Sequence, residues 1–74
     1  MTKRRYLIVI EGNEAENFFA YAHLPGCVAT GATREEVQRE MHDAMTFHVE
    51  GLRDAGEPIP EPSELTTSYI DVAA

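Results

Sequence analysis

Glu11, Glu35, Glu36 and Asp71 are the carboxylates whose positions invite a test for nuclease chemistry, because a two-metal hydrolase needs several such groups converging on one point. Glu11 closes the first apolar run, Asp71 sits in the last, and Glu35 and Glu36 open the one long helical stretch. Glu36 is committed to a helix cap, and the other acidic residues fall in turns or on a helix exterior, where charge is usually solvated. The histidines add little. His42 and His48 are six residues apart, which is not the i, i+4 spacing of a helical zinc pair. His23 and Cys27 together are too few ligands for a zinc site. His48 falls within the apolar stripe of the helix and reads as a core histidine. Cys27, beside a tight turn, reads as a small buried strand residue rather than an activated thiol. No catalytic residue, metal site or cofactor is assigned, and Gly12, alone in an acidic turn, is no phosphate loop.

The elements that hold these residues are well punctuated. Residues 6–10, Tyr-Leu-Ile-Val-Ile, form a strand apolar on both faces, with Tyr6, Ile8 and Ile10 on one and Leu7 and Val9 on the other. A polar turn around Gly12 and Asn13 leads into a second strand over 17–23, in which Phe18 opposes Phe19 and Tyr21, and the pair reads as a hairpin. Pro25 and Gly26 then make a turn, one residue presetting φ and the other free to take φ > 0, before a short third strand over 27–30. Gly31 ends that strand.

Thr33 followed three residues later by Glu36 is a capping box, with the hydroxyl taking the Glu36 N–H and the carboxylate reaching the Thr33 N–H. The helix runs over 34–54, with Val37, Met41, Ala44, Met45, His48, Leu52 and Ala55 in one stripe. Gly56 supplies the stop and Pro58 forbids continuation. Residues 57–63 carry three of the four prolines and form a stiff return strap. Strand chemistry resumes over 66–72. Met1 to Arg5 is expected to fray at its start.

The expected architecture is therefore α+β, a two-layer βββαβ domain spanning 1–74, with one sheet of order 3-2-1-4 and one long helix across one face. One helix covers one face only. The other face, with the aromatic residues Phe19, Tyr21 and Tyr6, wants a cover, either a second copy as homodimer or homotetramer or a dedicated partner. The competing view is that Tyr6, Phe19, Tyr21 and Tyr69 straddle a sparse surface harmlessly. Phe19, Tyr21, Tyr6 and Tyr69 are the candidate interface anchors, with Glu11 and Asp71 as rim charges.

Charge narrows the choice of partner. The net charge is −7, and Lys3, Arg4 and Arg5 are three of only six basic residues, so the chain from Tyr6 onward carries three positive and thirteen negative charges. Such a field opposes nucleic-acid backbones and anionic membranes and favours basic partners. A single cysteine excludes an internal disulfide and fits a reducing compartment. With no apolar run near the ~20 residues of a membrane span and no cleavable leader, the expected location is the cytoplasm.

Tyr6-Leu7-Ile8-Val9-Ile10-Glu11, the Leu24-Pro25-Gly26-Cys27 turn feeding Gly31-Ala32-Thr33, and the later Gly56-Glu57-Pro58-Ile59-Pro60-Glu61-Pro62 resemble the HicB-like antitoxin family. The resemblance implies a small βββαβ fold partly similar to ribonuclease H, and a protein-binding module rather than an enzyme. It also implies a partner, a HicA-like toxin, small and basic, that cleaves mRNA with a histidine which the antitoxin covers. Longer members of that family carry a C-terminal DNA-binding segment, for which this chain is expected to have no room. A stand-alone homo-oligomer without a toxin is the alternative that the same residues allow.

Overall fold

A computed structural model describes residues 3–13, 15–22, 24, 26–62 and 65–74. Three strands, β1 (Ile8–Gly12), β2 (Phe18–Ala22) and β3 (Val28–Gly31), precede one helix, α1 (Arg34–Asp54). The strands form one antiparallel sheet in the order β1-β2-β3. Val9 faces Tyr21 across the first pair, and Tyr21 faces Val28 across the second. Between β1 and β2 the Asn13 side chain accepts hydrogen bonds from the Ala15 and Glu16 amides, both at 3.0 Å. An asparagine that caps its own turn in this way replaces partners the hairpin ladder does not supply.

The helix is bounded as its sequence requires. Thr33 is the N-cap, and its hydroxyl oxygen accepts the Glu36 amide at 3.0 Å. The returning Glu36 carboxylate accepts instead from the Ala32 amide, at 3.4 Å, so the reciprocal bond falls one residue earlier than the capping box predicts. Glu35 and Glu36 in the first turn and Arg53 in the last complement the helix dipole. At the far end Gly56 N–H donates to the Arg53 carbonyl at 3.1 Å and Glu57 N–H to the Leu52 carbonyl at 2.9 Å, with Gly56 at φ 71°. This is a complete Schellman stop.

Packing follows from strand parity. The inward face of the sheet presents Phe18 and Ala20, which with Leu24, Cys27, Val37 and Met41 form the buried core. Tyr6, Ile8, Ile10, Ala29, Met45 and Val49 pack around that core, partly buried. The helix lies chiefly over β3 and β2 and only marginally over β1. Its closest approach is at Gly31, where a Cβ would stand 2.8 Å from the Val37 amide nitrogen, so the helix start rests directly on strand backbone. Gly26 takes φ 83°, as the turn demands. Pro25 and His23 lie outside the described residues.

After α1 the strap returns along the N-terminal end of β1. Tyr6 donates its hydroxyl hydrogen to the Pro60 carbonyl, and Arg4 pairs with Glu61 at 3.0 Å, while the start of the basic leader, where fraying is expected, lies outside the described residues. Beyond the strap the expected fourth strand is not formed. Residues 66–72 carry no regular secondary structure and are exposed throughout. Leu65 lines a depression on the outer face of the sheet together with Leu7, Val9 and Tyr21. Among the described residues the observed order is thus βββα, with no strand paired to the outer edge of β1.

Candidate protein-docking surface

Successive side chains on a strand point to opposite faces, so the burial of Phe18 and Ala20 fixes where their neighbours point. Phe19 and Tyr21 stand on the face turned away from the helix, 44 % and 43 % exposed. Register adds Val9 and Glu11 from β1 and Val28 and Thr30 from β3 to the same face. Leu7, at the start of the sheet, and Val28 are also exposed. The result is an apolar surface crossing all three strands. At one end Leu7, Val9, Tyr21, Ala22 and Leu65 line a shallow depression. Beside that depression Tyr21 Oη lies 3.4 Å from the Glu11 carboxylate, which places an acid next to the aromatic patch.

The six candidate interface residues do not gather in one place. Phe19, Tyr21 and Glu11 share the outer face. Tyr6 belongs to the opposite side, packed against the core with its hydroxyl on the Pro60 carbonyl. Tyr69, 98 % exposed, and Asp71 lie in the C-terminal segment, outside the three strands. Two exposed residues escaped the sequence reading. Val28 belongs to the short third strand, and only the register with Tyr21 shows its direction. Phe47, 79 % exposed, sits on the helix outside the apolar stripe, with Asp43 and Glu50 four residues before and three after it. Its absence from the i, i+3, i+4 pattern is the signal that marks it.

Among the described residues no group of three or more His, Cys, Asp or Glu is placed to hold a metal ion. His42 lies 3.4 Å from Asp43, exposed, and His48 is half-buried beside the core. Cys27 is buried, and burial pushes its thiol pKa above the ordinary value, the opposite of what a nucleophile requires. No helix among the described residues is long and apolar enough to cross a membrane.

Residues 6–72 match the family model described as the HicB_like antitoxin of bacterial toxin-antitoxin systems. That is nearly the whole chain. No curated protein and no solved structure matches it.

Proposed function

The chain belongs to the HicB-like antitoxin family, a non-catalytic class whose members associate with HicA-like toxins, and from that premise we propose that it binds and neutralises a small, basic, mRNA-cleaving protein of the HicA-like kind. The family match over residues 6–72 carries this reading. Two features of the molecule support it. The outer sheet face offers Phe19, Tyr21 and Val28 as uncovered apolar contacts, enough to seat a partner at its centre. The body of the chain is acidic, and its exposed helix side adds Glu40, Asp43, Glu50 and Asp54. A basic partner would be steered toward that field and held at the aromatic patch, with Glu11 at its rim. Occlusion needs no reactive group on this chain, since covering the partner's catalytic residue is enough. The proposed setting is the cytoplasm, where mRNA lies.

The test is reconstitution. The chain is purified alone and with a small basic protein encoded beside it, and RNA cleavage by that protein is followed as the chain is added. A stable complex with cleavage suppressed near one equivalent supports the reading, and unimpeded cleavage by a protein that forms no complex removes it. A second reading, a homo-oligomer without a toxin, is favoured by the same uncovered face, which a second copy of the chain would also bury.

A further inference from the structure

The C-terminal segment is built for a sheet and has none. Residues 66–72 read Thr-Thr-Ser-Tyr-Ile-Asp-Val, rich in β-branched and aromatic types. Yet Tyr69, Ile70 and Val72 are 98 %, 82 % and 76 % exposed. The molecule is also extended: the Cα radius of gyration is 14.5 Å with a longest extent of 49 Å, against about 11 Å expected for a compact chain of this length.

The sheet has the matching defect. β1 is an edge strand, and edge strands are ordinarily guarded by lysine, proline, a bulge or a covering element. Ile8, Val9 and Ile10 carry none of these protections. The helix scarcely reaches over β1, which leaves Ile8 and Ile10 only half-buried at the margin of the core. A strand laid along that edge with Ile70 and Val72 turned inward would extend the core under the helix, while Tyr69 and Asp71 would fall on the outer face with Val9 and Glu11.

We infer that residues 66–72 of one copy add as a fourth strand to the open edge of β1 in a second copy, and that the exchange is reciprocal. The chain's own path argues for the second copy. The strap is fastened at Pro60 and Glu61, and Leu65 lines the depression on the outer face together with Leu7, Val9 and Tyr21, while residues 66–72 stay exposed and unpaired although the edge of their own β1 takes no strand among the described residues. Seven residues in extended form reach about 23 Å, enough to cross to a neighbour. Reciprocal exchange closes a two-fold dimer and leaves neither copy with a bare β1 edge. The contact is main-chain pairing, strand addition of the kind that edge strands invite. It uses an edge rather than the outer face, so it stands whether or not a toxin exists.

The experiment is the solution mass of the full chain by light scattering, compared among wild type, Ile70→Pro and Tyr21→Asp, with amide hydrogen exchange over 66–72. Proline removes a ladder donor and cannot sit within a paired strand. Because Ile70 is unpaired in the single copy, the substitution leaves the domain itself intact, which circular dichroism verifies. The expected result is a wild type of twice 8.3 kDa, an Ile70→Pro protein of single mass, and a Tyr21→Asp protein that stays dimeric. Amide protection over 66–72 should then vanish on dilution to the monomer. A monomeric wild type overturns the inference, as does a dimer that survives Ile70→Pro and dissolves with Tyr21→Asp, which would assign self-association to the outer face. Protection persisting in diluted monomer also overturns it, because the strand would then fold onto its own β1.

Discussion

Gly31 and Val37 meet backbone to backbone: a methyl group on Gly31 would stand 2.8 Å from the Val37 amide nitrogen and 3.1 Å from its Cα. Neither atom can swing aside, since Val37 is fully buried in the first turns of α1. Gly31→Ala should therefore push the helix start off β3, at a cost of about 1–3 kcal/mol for overpacking a tight contact. Urea unfolding of the two proteins measures the difference.

Thr33→Ala removes the acceptor of the Glu36 amide and should destabilise the fold by about 1 kcal/mol. Thr33→Asp keeps an acceptor at the N-cap and should recover most of the loss. Thermal melts of the three proteins decide between loss of the cap and loss of the methyl group.

Tyr6→Phe keeps the ring against the core and deletes the hydroxyl that holds the Pro60 carbonyl. The expected cost is about 1 kcal/mol, typical of one part-buried hydrogen bond. Amide exchange near the strap should quicken more than exchange in β2, because the bond fastens one segment and leaves the sheet untouched.

Tyr21→Asp places a charge in the middle of the outer face while leaving Phe18 and Ala20 packed. Stability should change by no more than about 0.5 kcal/mol, as for other exposed positions. Affinity for a toxin partner should fall by about 30-fold or more if the ring is a central anchor. Calorimetric titration against the reconstituted partner reads the second effect and urea unfolding the first.

Cys27 supplies a pH prediction. Its thiol is buried and its pKa is raised by desolvation from the ordinary 9.0. Above that value the unfolded chain loses the proton first, so the folded state binds more protons and stability falls as pH rises. The stabilising contribution is complete below 9.0 and is lost toward the folded-state value. The advantage of wild type over Cys27→Ala should accordingly shrink in urea titrations run through that range, and alkylation of the native thiol near neutrality should be slow.

Much of the fold was legible because its punctuation is local. Thr33, Glu36 and Gly56 delimit α1 over the residues the spacing indicates, and the first three strands fall within two residues of their expected starts. The exception in the cap, where Glu36 reaches Ala32 and not Thr33, depends on a side-chain torsion that no spacing encodes. The fourth strand, expected beside β1, is not formed, because composition marks a segment as fit for a sheet without saying which sheet edge it meets. The candidate interface was legible only in part for a similar reason. Alternation correctly separates Phe19 and Tyr21 from Phe18, but it takes the register between strands to add Val28 and a hydrogen bond across 54 residues to remove Tyr6.

The fastening of the strap sets how the domain comes apart. Arg4 and Glu61 close a loop of nearly the whole domain with one exposed ion pair, and Tyr6 adds a single part-buried hydrogen bond beside it. The entropy of such a closure rises only with the logarithm of loop length, by about 0.6 kcal/mol per doubling. Two weak attachments can therefore hold a long span, but they hold it by a margin small enough for thermal release while the three strands and the helix stay assembled. The strap is thus a latch between the N-terminal leader and residues 60–61, with Tyr6 and Arg4 as its described fastenings.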